Sequence, residues 1–149
     1  MREKLLMYIE ELKKHSIVIE DIFYKMDMMY GVPITEKVIE DIITNDVILI
    51  DALAYRFSKF QDTLGKALKT FFLSKGESVE EMTIIDVVNY ANKIGFSIDS
   101  EMWWKMRRLR NRLSYEYEKE YSKIVVVLNE IYEFYPFMKK ILNELEERG

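Results

Sequence analysis

Apolar residues recur every three or four positions along almost the whole chain, and very little interrupts them. Leu5, Ile9, Leu12, Ile19, Phe23 and Met26 draw one stripe along a helix, broken only by Ser16. A second stripe runs through Val47, Ile50, Ala54, Phe57, Leu64, Leu68 and Phe71, with a gap at Gln61. The chain has five Gly and two Pro in 149 residues, too few turn-makers for a many-stranded β fold. The pattern predicts an all-α fold, an antiparallel bundle of four to six helices in a single domain over residues 1–149.

The punctuation places the helices. Gly31, Pro33 and the cap candidate Thr35 end the first helix and open another carrying Val38, Ile39, Ile42 and Ile43. Asn45 and Asp46 either break that helix or lie within a continuous one. The second long stripe closes at Gly76. Glu77 to Glu81 reads as a loop, and Thr83 with Asp86 three residues on caps a short helix that stops at Gly95. Asp99 or Ser100 caps the next helix, from Glu101 to about Tyr117. The last, Lys119 to Arg148, contains Pro136, which predicts a kink near Tyr135.

Composition excludes several kinds of chemistry. With no cysteine and one histidine, the chain has no disulfide framework, no thiolate nucleophile and no multi-histidine zinc site of its own. The glutamates at 80, 81, 116, 118, 120, 144, 146 and 147 fall on helix ends and faces, and none forms an inward Glu-x-x-His pair. The expectation is no metal and no cofactor. The longest apolar run, Ile124 to Leu128, is far short of the ~20 residues that span a bilayer. Met1-Arg2-Glu3-Lys4 leads straight into charged amphipathic sequence. No membrane association and a cytoplasmic location are therefore expected.

One window differs from the rest. Lys105, Arg107, Arg108, Arg110 and Arg112 fall within eight positions that hold no acid, although the chain as a whole has a formal charge of −4. One reading is a solvated helix face paired with nearby glutamates. The other is a phosphate or RNA site, because the planar guanidinium fork matches phosphate oxygens. At 3.6 residues per turn Arg110, Ser114 and Tyr117 share one face, with Asn111 and Tyr115 beside them. The interleaved aromatics suit base stacking, although tyrosines on a bundle helix commonly serve as packing.

The string Arg110-Asn111-Arg112-Leu113-Ser114-Tyr115-Glu116-Tyr117 resembles the signature of HEPN-domain proteins. The branch in question accompanies minimal nucleotidyltransferases and is often called nucleotidyltransferase substrate-binding proteins. Its signature is Arg, usually Asn, then His five residues after the Arg, then any residue and Tyr. The resemblance extends to Arg56-Phe57 with Thr63, the short capped helix ending at Gly95, Trp103 or Trp104 before the motif, and the tyrosine-bearing helix after it. It spans about Leu49 to Leu142.

The resemblance implies a homodimer with its groove between protomers and a toxin-type, metal-independent ribonuclease. There the ribose 2′-OH attacks the adjacent phosphate, histidine moves the proton and arginine steadies the charge. Arg110 and Tyr115 would be the catalytic pair, with Arg107, Arg108, Asn111, Arg112 and Ser114 on phosphate or RNA. Tyr117 holds the position that a nucleotidyltransferase partner modifies with AMP. Tyr115, however, replaces the histidine. A phenol titrating near ~10 is a poor base at neutral pH beside an imidazole near ~6.5, and losing a general base typically costs ~10²–10⁴ in rate. Cleavage is accordingly expected to be weak or lost. The alternatives are a non-catalytic nucleotide- or substrate-binding subunit of the nucleotidyltransferase, or a plain dimeric interaction bundle. His15 could replace the missing imidazole only if the middle of the first helix packs on the motif, and it is expected instead at the surface or boundary.

Overall fold

The computed structural model describes residues 1–116 and 120–149, and for residues 115 and 116 the helical backbone alone. The order is α1 (Arg2–Tyr30), α2 (Glu36–Asn45), α3 (Val47–Ser74), α4 (Ile84–Lys93), α5 (Ser100–Glu116) and α6 (Tyr121–Arg148). Among the described residues there is no strand. The chain is an all-α bundle.

α3 is the axis of the molecule. Its C-terminal half is buried on most sides, with Leu64, Ala67, Leu68, Phe71 and Phe72 in the core and Asp62 and Lys66 left exposed, so other helices enclose it. At about 1.5 Å per residue α1 and α3 are each roughly 40 Å long, and they share the most extensive contact of any helix pair. α4 and α5 close one side of α3, while α6 packs on α1, α2 and α5.

The stop signals work as the sequence suggests. Glu77 N–H reaches the Phe72 carbonyl at 3.0 Å and Phe96 N–H reaches that of Ala91 at 3.0 Å. These bonds cap the last turns only because Gly76 and Gly95 take positive φ, 79° and 100°. Thr83 and Asp86 form the reciprocal capping box. Asp99, rather than Ser100, caps α5, its carboxylate accepting from Met102 N–H at 2.8 Å. Thr35 stands at the N-cap of α2 without a side-chain cap bond. The question at Asn45 resolves as a break: Asp46 alone separates α2 from α3, and its carboxylate accepts from the Tyr30 hydroxyl. That bond pushes the Tyr30 hydroxyl up to about 12, with partial burial adding to it. α6 continues through Pro136 as one helix.

Two loops are tied to α6 by paired hydrogen bonds. Asn129 accepts from Ile34 N–H at 2.7 Å and donates to the Ile34 carbonyl at 2.8 Å. Glu144 accepts from both the backbone N–H and the hydroxyl of Ser97, each at 2.8 Å. These bonds satisfy both backbone groups of Ile34 and the backbone N–H of Ser97 where the loops meet α6.

Candidate functional site

α5 buries one stripe, Trp103, Met106, Leu109 and Leu113, and turns its polar residues outward on either side. Because a stripe of that width occupies the middle of the helix face, the cations that flank it must diverge. Arg110 leans toward α3, where its Nη1 lies 2.7 Å from Asp62 Oδ1. Arg112 leans the other way, its Nη1 3.4 Å from Glu130 Oε2 on α6. Both are half-buried. Arg107 is exposed and lies over the Trp104 ring at 5.8 Å, and Lys105 lies over Phe134 at 5.4 Å. Arg108 and Asn111 are exposed. Ser114 is exposed too, but its hydroxyl donates back to the Arg110 carbonyl at 3.1 Å, one turn earlier.

The candidate phosphate residues thus share one helix without converging on one point in a single protomer. Tyr115 is helical and its side chain lies outside the described residues, as does the whole of Tyr117. The tryptophans divide. Trp103 is 5% exposed and belongs to the core, whereas Trp104 is 44% exposed.

His15 lies at the boundary, against α3 rather than against the motif. Its Nδ1 is 3.1 Å from Arg56 Nη1. Burial, then the nearby charges of Arg56 and Lys59, hold the imidazole below its ordinary value. Arg56 and Asp62 are six residues apart on α3, about 240° around the helix. The histidine and Arg110 therefore engage different sides of the same helix.

Two sites were marked in the sequence only as gaps in a stripe. Ser16, fully buried, lies between α1 and α6. Its hydroxyl lies against that of Tyr135, donates to Glu20 Oε2 at 2.8 Å and accepts from Lys139 Nζ at 3.1 Å. The Tyr135 hydroxyl also donates to Glu20, at 2.9 Å. Burial would raise the Glu20 carboxyl, but the bonds from Ser16, Tyr135 and Lys139 outweigh it and hold it low. Burial, reinforced by Glu20, pushes the Tyr135 phenol up.

Gln61 marks the second. It is 2% exposed and lines a groove of about 510 Å³ between α3, α4 and α5, together with Gly65, Lys66, Met82, Ile84 and Trp103. Gly65 makes room for the indole: a Cβ there would meet Trp103 Cη2 and Ile84 Cδ1 at 3.2 Å each. Gln61 Oε1 and Trp103 Nε1 are buried without a hydrogen-bond partner. Asp62, the partner of Arg110, stands on the rim of this groove.

Among the described residues no group of three His, Cys, Asp or Glu is placed to hold a metal, and no helix is long and apolar enough to cross a membrane. In comparison with known proteins, the chain matches no family model, no curated protein and no solved structure.

Proposed function

We propose that this bundle is a HEPN-type partner of a minimal nucleotidyltransferase, in which α5 binds phosphate or RNA and RNA cleavage is weak or lost. The resemblance in the sequence motivates the assignment. The observation that carries it is the arrangement around Arg110: a half-exposed guanidinium at the α3–α5 junction, with Arg107 and Arg108 exposed on the same helix. Arg107 and Arg108 are turned to solvent, where guanidinium groups attract phosphate oxygens as neutral helix faces do not.

The same geometry favours binding over cleavage. Asp62 occupies Arg110 at 2.7 Å, so phosphate must compete with a carboxylate. A transition-state clamp works best when its donors already point at the reacting phosphate. Tyr115 in place of an imidazole argues in the same direction. The non-catalytic binding subunit is thus the second reading, and the Arg110–Asp62 pair is what supports it.

Incubating the protein with tRNA in EDTA, beside an Arg110→Ala control, measures both activities. The expected outcome is binding that weakens steeply with salt, little or no cleavage, and an Arg107→Glu/Arg108→Glu variant that binds at least tenfold more weakly. Strong cleavage abolished by Arg110→Ala would restore the nuclease, and unchanged binding by the double variant would end the phosphate reading. With a nucleotidyltransferase partner and ATP, the intact mass rises by AMP units in the parent and not in Tyr117→Phe.

A further inference from the structure

Where α3 ends, a pocket of about 350 Å³ opens beside α4 and the last turn of α6. Two cations line it, Lys75 in the turn just past α3 and Arg148 at the end of α6. Both stand against one ring: Lys75 Nζ is 5.4 Å and Arg148 Cζ 5.7 Å from the centre of Phe71. Among the described residues neither makes an ion pair, although the chain has 26 acidic side chains against 22 basic ones. Like charges around one cavity repel each other, and an anion between them turns that repulsion into attraction.

The guanidinium is already positioned. It lies 4.2 Å over the Phe96 ring, and its Nη2 donates to the Ile94 carbonyl at 3.0 Å. That bond uses one of five N–H donors, so the rest of the fork remains for a ligand. Lys75 is exposed on a flexible stem, which lets its ammonium close on an anion that Arg148 holds. The other walls are aromatic: Phe72 and Tyr90 stack with centroids 4.7 Å apart. Glu77 is the one acid in the lining, and its hydrogen bond with Tyr90 holds the phenol above its ordinary value.

We infer that this pocket binds a phosphate monoester carried on an aromatic ring. The phosphate takes Arg148 and Lys75, because a guanidinium fork and a mobile ammonium together match its oxygens and its charge of about −2. A carboxylate engages the same fork with half the charge. The ring packs on the wall of Phe72, Tyr90 and Ile94. Arg110 meets α3 at Asp62, nine residues before Phe71 and about 13 Å along the helix. The inference is therefore independent of any role of α5 in binding RNA.

Calorimetric titration of the full chain with phenyl phosphate tests it. The expected result is saturable binding with a dissociation constant in the millimolar range or below. Inorganic phosphate, lacking the ring, and benzoate, lacking the second charge, each bind about tenfold more weakly. Lys75→Glu lowers the affinity for phenyl phosphate at least tenfold, and because Lys75 is exposed in a turn the change leaves the fold intact. Arg148→Lys keeps the charge, loses the fork and binds more weakly than the parent. In the parent, nuclear Overhauser contacts join the ring protons of the probe to those of Tyr90. Three outcomes overturn the inference: no saturable heat at millimolar probe, phenyl phosphate bound no better than inorganic phosphate, or affinity unaffected by Lys75→Glu.

Discussion

Two polar side chains lie buried where the stripe of a long helix calls for apolar ones, Ser16 on α1 and Gln61 on α3. Ser16 is surrounded by partners from two helices: Glu20 one turn ahead on its own helix, and Tyr135 with Lys139 on α6. The Gln61 carbonyl oxygen has none, and neither has the indole N–H of Trp103. A buried hydrogen-bond network whose members are satisfied locks helices in register, whereas a partly satisfied one subtracts from stability. The contrast teaches what each site is for. α1 and α6 are fastened together at Ser16, whereas Gln61 and Trp103 each leave a polar atom buried without a partner where α3 meets α4 and α5.

The sharpest way to break this comparison is to delete one hydroxyl at the fastened site. Tyr135→Phe keeps the ring among its neighbours Phe23 and the α6 core but removes the donor to Glu20 and the partner of Ser16. We expect a loss of about 1–3 kcal/mol, read from urea unfolding with an unchanged denaturant slope. A variant as stable as the parent would mean that the network contributes nothing beyond its packing.

Gln61→Leu should move stability the other way and by less. The substitution removes an acceptor that has no partner and replaces it with an apolar side chain of similar volume, which favours folding by ~1 kcal/mol. Measured in the same urea titrations, destabilisation by that variant would show that Gln61 is satisfied in solution. The comparison between the two sites would then collapse.

Much of the fold can be read in the sequence because its signals are local. Gly76, Gly95 and the Thr83–Asp86 pair act within a few residues of themselves, so caps and stops follow from spacing alone. The break after Asn45 is not legible in that way: Asp46, the residue at the break, meets Tyr30 sixteen residues away, a contact that spacing alone does not show. The candidate site divides in the same manner. That Arg107, Arg108, Asn111 and Ser114 are outward on α5 follows from a stripe of Trp103, Met106, Leu109 and Leu113. That Arg110 turns to Asp62 and Arg112 to Glu130 does not, since it requires knowing which helices flank α5. Ser16 and Gln61 were visible as interruptions, yet nothing in either stripe distinguishes the satisfied residue from the orphaned one. Only the partners that α6 brings, and α5 does not, make that distinction.

The smallest effect is also the most selective, because it separates the two sites by proton rather than by contact. Glu20 has a carboxyl held below its ordinary value in the folded state, so its contribution is complete above the unfolded carboxylate pKa of about 4.3. That contribution is lost as the pH falls through the lower folded value. Replacing Glu20 with Gln keeps an acceptor for Ser16 and Tyr135 but removes the titration, so stability should decline less steeply below pH ~4 than in the parent. His15 acts in a separate window: its imidazole is held low, so it withdraws stability as the pH drops through about 6.5, in parent and variant alike. Gln61 carries no proton to lose, and Gln61→Leu should shift the whole stability–pH curve upward without changing its slope. Identical acid limbs for the parent and Glu20→Gln would show that the carboxylate is not held by Ser16, Tyr135 and Lys139 in solution. The fastening of α1 to α6 would then rest on apolar packing alone.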